Sequence, residues 1–107
     1  MKIYNDNFDT FDTFDKIRKW AKDKNITQGS SPQAQMLKLT EEVGELAAAI
    51  ARNEQGKIID SIGDCIVVLT ILTAHYGLYV EDAVDAAYEE IKDRKGKLVD
   101  GIFIKEE

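Results

Sequence analysis

The segment between Gly56 and Gly77 constrains this chain most, because it is apolar nearly all round and yet carries two aspartates. At about 100° per residue, a helix over Lys57–Tyr76 leaves no continuous polar side, so it must be covered on several sides. Asp60 and Asp64 share one side of that helix with Val67 and Ile71. The two acids thus extend an apolar stripe instead of a solvated face. Like charges one turn apart repel by roughly 0.2–0.5 kcal/mol even at a surface. Buried ions cost more still unless something compensates them.

The preceding helix offers three more carboxylates. Ser31-Pro32 reads as an N-cap followed by proline in the first turn, and the helix is expected to continue to about Asn53. Leu39, Val43, Leu46 and Ile50 form its expected core stripe. Glu42 lies just beside that stripe, Glu45 one turn further along, and Glu41 towards the exposed side. Taken alone, these glutamates read as a solvated acidic face. With Asp60 and Asp64 in the neighbouring apolar helix, the better reading is a cation held between two helices. An all-oxygen set suits Mg²⁺, Mn²⁺ or Ca²⁺ rather than zinc.

Two further helices account for most of the remainder. The first is expected over about Phe8–Asn25, with Phe11, Phe14, Ile17 and Ala21 along one side, and Ile26–Ser30 as a loop. The last is expected over about Val80–Lys95, with Val84, Ala87 and Ile91 facing inward and Gly96 as its C-cap. Leu98–Lys105 is too apolar for a free tail: it packs on the bundle or on a partner subunit, or forms a short strand or hairpin. The fold expected is all-α, a four-helix bundle protomer in one domain spanning 1–107, with a helical core over about 8–95 and a tail over 96–107. So small a bundle cannot cover its third helix, which predicts a homodimer or homotetramer.

Composition narrows the function. Hydrophobic residues make up 44% of the 107, which argues against disorder. A formal net charge of −6 gives no support for binding a nucleic-acid polymer or an anionic membrane. The start of the chain lacks a signal-peptide core, and the apolar run Cys65–Ala74 is too short to span a bilayer. With a single cysteine there is no intrachain disulfide. A cytoplasmic location is the expectation.

Leu39-Thr40-Glu41-Glu42-Val43-Gly44-Glu45-Leu46, followed by Ile62-Gly63-Asp64-Cys65-Ile66-Val67-Val68-Leu69, resembles the MazG-like nucleotide pyrophosphohydrolases. That superfamily carries EExxE, a spacer and ExxD on an all-α scaffold related to dimeric dUTPases. The resemblance extends from about Ile17 to Lys95. One position departs from the pattern: Ser61 stands where the glutamate of ExxD is expected, and Asp60 beside it is the candidate replacement.

The resemblance implies Mg²⁺- or Mn²⁺-dependent hydrolysis of nucleoside or deoxynucleoside triphosphates to monophosphate and pyrophosphate, as in nucleotide-pool sanitation. Metal ligands are then Glu41, Glu42, Glu45, Asp60 and Asp64, with Glu41 or Glu42 as the general base. The alternative is a helical nucleotide-binding or regulatory module impaired in catalysis by the change at Ser61. Gln35 and Lys38, upstream on the Glu42 side, are candidate substrate contacts or plain surface residues. Trp20 is expected in the core, with stacking on a base as the alternative. Lys92, Arg94, Lys95 and Lys97 suit the end of a helix dipole, while the resemblance favours Arg94 and Lys95 as phosphate clamps. His75 is almost three turns from Asp64 and reads as structural.

Overall fold

The computed structural model describes residues 12–107. Phe8 and Phe11, and the expected first turn of the first helix, lie outside the described residues. Helix α1 runs Thr13–Asp23, capped by the Asp12 carboxylate, which accepts from the Asp15 amide at 2.9 Å. The expected loop is a one-turn helix, α2 (Ile26–Gly29), entered through Asn25 in the left-handed region. Helix α3 (Pro32–Ala51) starts as the sequence predicts, with Ser31 Oγ accepting from the Ala34 amide at 3.1 Å. Helix α4 (Gln55–His75) closes on a Schellman motif. There the Leu78 amide reaches back to the Thr73 carbonyl and Gly77 takes φ 71°. Helix α5 (Val80–Ile91) is shorter than expected. Strands β1 (Gly96–Val99) and β2 (Ile102–Lys105) form an antiparallel hairpin, Val99 facing Ile102.

The turn Asp100-Gly101 has positive φ at both residues, the geometry a two-residue hairpin loop needs. Gly96 is therefore a strand residue and not a C-cap. A Cβ on it would run into the Ile104 carbonyl and the Phe103 ring. α5 stops at Ile91 because the chain must turn into this hairpin.

The α3–α4 hairpin is the centre of the structure, with α1 and α2 packed against α4. Two expectations about faces need correction. On α3, Val43 and Ile50 are 50% and 59% exposed, while Glu42 and Ala49 are buried. The inward stripe is rotated by one residue from the expected one, so that a glutamate occupies a core position. On α5, Val84 is 61% exposed and Ala87 and Ile91 also face solvent. This helix touches α4 near its start, at the buried Val80, and then leaves the other helices. Among the described residues, the hairpin packs against none of the helices. Among the described residues the chain is mostly helical, as expected, with five helices and a hairpin where four helices were expected. The radius of gyration is 16.6 Å, where a compact chain of this length has about 13 Å.

The α3–α4 pair has two distinct sides. Inward positions are Glu42, Leu46 and Ala49 on α3, and Ser61, Cys65 and Val68 on α4. One residue earlier on each helix come Glu41, Glu45 and Ala48, facing Asp60, Asp64 and Val67. One residue later come Val43, Ala47 and Ile50, with Ile62, Ile66 and Leu69. In antiparallel neighbours the same rotation on both helices points to the same side. Acids and exposed apolar residues therefore occupy opposite sides of the pair. By length and composition α4 as a whole, unlike the run Cys65–Ala74, is long and apolar enough to cross a membrane. Its Asp60 and Asp64 instead face a groove shared with α3.

Candidate metal centre and substrate groove

The first turns of the site come from α3. One carboxylate oxygen each of Glu41, Glu42 and Glu45 lies within 4.8 Å of the others. Glu42 is only 6% exposed, and its Oε2 is buried without a hydrogen-bond partner. Its Oε1 lies 3.2 Å from Lys38 Nζ, which is also 3.2 Å from Glu41 Oε1. The hydrogen bonds of Lys38 to Glu42 and then Glu41, together with both negative charges, raise the Lys38 pKa.

From α4, Asp64 sits close enough to feel the same field. Desolvation raises its carboxyl pKa first, and the negative charges of Glu42 and Asp60 raise it further. Asp60, Ser61 and Asp64 line a cavity of about 330 Å³ together with Glu45, Arg52 and Lys57. Asp60 thus shares a cavity wall with Asp64 and Glu45, as the buried Ser61 does. Arg52 and Lys57 are cations that the sequence reading passed over. Arg52 lies two turns beyond Glu45 on the same side of α3, and Lys57 one turn before Asp60. That spacing is the signal that could have found them.

A second acidic group provides a contrast. Oxygens of Asp12, Asp15 and Glu81 also lie within 4.8 Å of one another. There Arg18 donates to Glu81 at 2.7 and 2.8 Å and to Asp15 at 2.7 Å. Its guanidinium stacks 4.7 Å from the Tyr79 ring centroid. That cluster carries its own counter-ion. In the α3 cluster a single half-exposed lysine faces two glutamates, and the innermost oxygen has no partner. A buried unpaired acceptor costs about 1–3 kcal/mol, more when charged. A hard divalent cation would supply the missing interaction with the donor type it prefers, so the residues present fit a metal.

Further along the groove, Trp20, Gln35, Lys38, Val67 and Ile71 line a second hollow of about 350 Å³. Trp20 is 48% exposed and stands at its edge, which corrects the expected core position. Gln35 Nε2 donates to Ser30 Oγ at 3.0 Å, fixing the amide at the wall. Lys38 belongs to this hollow and to the acid cluster at once. Lys92, Arg94 and Lys95 stand at the exposed end of α5, line neither hollow, and Lys92 pairs with Glu89 at 2.6 Å. His75, in the last turn of α4, keeps a buried Nε2 without a partner and takes no part in the acid cluster.

A protein of Haemophilus phage HP1 (strain HP1c1), described as an uncharacterized 18.2 kDa protein in the rep-hol intergenic region, is 43% identical over 75 residues. The match covers 70% of this chain and 42% of that relative, so the chain spans less than half of the relative's length. No solved structure matches the chain significantly. The family model of the MazG nucleotide pyrophosphohydrolase domain matches residues 30–99, which include all of α3 and α4. The chain therefore belongs to the MazG nucleotide pyrophosphohydrolase family.

Proposed function

We propose that the α3–α4 groove hydrolyses nucleoside or deoxynucleoside triphosphates between the α- and β-phosphates, giving monophosphate and pyrophosphate. The observation that carries this reading is the buried, unpartnered Glu42 Oε2, clustered with Glu41 and Glu45 and close enough to Asp64 to raise its pKa, beside a cavity lined by two cations and an apolar hollow. Glu42, Glu45, Asp60 and Asp64, with Glu41 at the rim, would hold Mg²⁺ or Mn²⁺. Such an ion neutralises phosphate charge and lowers the pKa of a bound water. Glu41, more than half exposed, is reachable by bulk water and takes the proton of the attacking water. Glu42, buried, stays with the metal. The base and sugar occupy the hollow beside Trp20 and Gln35, and Arg52 and Lys57 receive the leaving pyrophosphate. Water oxygen bonds to phosphorus as the bridging P–O bond breaks.

A panel of canonical, deoxy and damaged nucleotides assayed with Mg²⁺ and Mn²⁺ tests the reaction. Monophosphate plus pyrophosphate is expected; diphosphate plus orthophosphate would contradict it. Ser61 at the expected glutamate position keeps one second reading alive, a binding module without turnover. Tight metal and nucleotide binding with no hydrolysis of any substrate would favour that module.

The exposed apolar side of the α3–α4 pair, the unpacked face of α5 and the free hairpin support assembly into a dimer or larger oligomer. Lys92, Arg94 and Lys95, at and just past the end of α5, are the cations such an assembly has to offer a partner's groove.

A further inference from the structure

We infer that Lys38 is an internal counter-ion, which occupies the mouth of the acid cluster in the metal-free protein and is displaced when the metal enters. The inference rests on the metal-site reading above and adds a competitor to it.

Three observations carry the assignment. First, the Lys38 ammonium bridges Glu41 Oε1 and Glu42 Oε1, at 3.2 Å from each. It stands between two of the oxygens a divalent ion would take. Second, it reaches one oxygen of Glu42 and leaves the inner Oε2 unpartnered. The lysine therefore compensates the cluster only in part, as a replaceable ion does. The contrast is Arg18, which holds Glu81 through two hydrogen bonds and Asp15 through a third. Third, Lys38 also lines the hollow next to Gln35 and Trp20. A lysine is a point charge on a flexible stem, so rotation about its side-chain bonds carries the ammonium from the carboxylates towards that hollow. A phosphate or ribose oxygen of a bound nucleotide would meet it there.

Two consequences follow. The metal-free site pays for its pre-formed carboxylates with a cation that must leave, so metal binding is weaker than the bare carboxylates allow. Metal and nucleotide binding also favour each other, because the metal frees the ammonium that the nucleotide uses. By linkage that coupling is reciprocal.

The test measures Mn²⁺ affinity calorimetrically in the full chain without nucleotide. Wild type is compared with Lys38→Met, Lys38→Arg and, as a control for charge alone, Lys19→Met, which removes a surface ion pair with Asp23 outside the site. Lys38→Met is expected to tighten Mn²⁺ binding about three- to tenfold, the range for losing one or two partly exposed ion pairs. Lys38→Arg and Lys19→Met are expected to stay within about twofold of wild type. Circular dichroism checks that each variant is folded. A non-hydrolysable α,β-imido nucleotide supplies the second readout: Mn²⁺ strengthens its binding less in Lys38→Met than in wild type. Unchanged Mn²⁺ affinity in Lys38→Met, or an equal gain in Lys19→Met, overturns the counter-ion role and leaves the metal site standing. No Mn²⁺ binding by wild type overturns the metal-site reading and this inference together.

Discussion

Asp64 shows how far single residues could be read without coordinates. Its place in an apolar helix marked it as a candidate ligand, and the structure sets it beside Glu42 and Asp60, whose charges with desolvation raise its pKa. A carboxyl whose pKa is raised on folding binds more protons folded than unfolded. Stability of the metal-free protein therefore falls as pH rises from the ordinary value of 3.8 through the raised folded value. Asp64→Asn removes that contribution. Thermal melts at pH 7 without metal are expected to show a higher Tm for the variant, whereas Mg²⁺ or Mn²⁺ stabilises wild type and leaves the variant nearly unmoved. A metal-dependent shift of equal size in both proteins contradicts the ligand assignment. Asp60→Asn addresses the change at Ser61: it is expected to lower metal affinity and turnover at least tenfold, and unaltered kinetics would show that Asp60 replaces nothing. The position of Glu42 was only half legible. Apolar spacing placed the core stripe at Val43 and Ile50, but α3 turns Glu42 inward, and periodicity counts only apolar residues.

At the scale of elements, the caps and turns were written locally and the packing was not. Ser31-Pro32 and Gly77 announced the ends of α3 and α4 because capping is settled within a few residues. Asp100-Gly101 between Val99 and Ile102 carried an equally local hairpin signal, which suffices to explain why α5 ends early. By contrast, the Arg18–Glu81 pair joins residues 63 apart in sequence and has no local signature. Arg18 is 15% exposed in its side chain and ties α5 to α1. Arg18→Met is expected to cost about 1–3 kcal/mol, read as a lower denaturant midpoint. The Glu81 pKa is lowered, chiefly by its hydrogen bonds from Arg18. Its stabilisation is therefore present above the ordinary value of 4.5 and fades as pH falls through the lower folded value. The difference between wild type and variant should shrink over that acid range; a difference independent of pH would mean that the pair contributes by packing alone. In the hairpin, Gly96→Ala is expected to disorder β1 against β2, seen as lost amide protection over Gly96–Lys105 with the helices unaffected.

For the whole molecule, the sequence anticipated a shortage of cover, and the structure shows where it falls. Ile59, Ile62, Ile66 and Leu69 on α4, with Met36, Val43 and Ile50 on α3, remain exposed on the side away from the acids. That stripe runs the length of both helices, and monomers rarely leave so long an apolar patch in water. Covering it with a second copy removes the patch without touching the groove, since the two lie on opposite sides. The interface can then be tested separately from the chemistry. Wild type is expected to scatter light as a dimer or larger species at micromolar concentration. Ile66→Lys, placing a charge in the middle of the stripe, is expected to shift it to monomer and lower Tm. Turnover distinguishes two roles for the assembly. If the groove is complete in one protomer, the folded Ile66→Lys monomer keeps its activity. If the α5 cations of a partner complete it, activity falls as the protein dissociates and returns on mixing Ile66→Lys with an Asp64→Asn subunit under conditions that restore pairing. A clean wild-type monomer would exclude assembly and assign every contact with substrate to a single chain, leaving Lys38, Arg52 and Lys57 as the cations that line the groove.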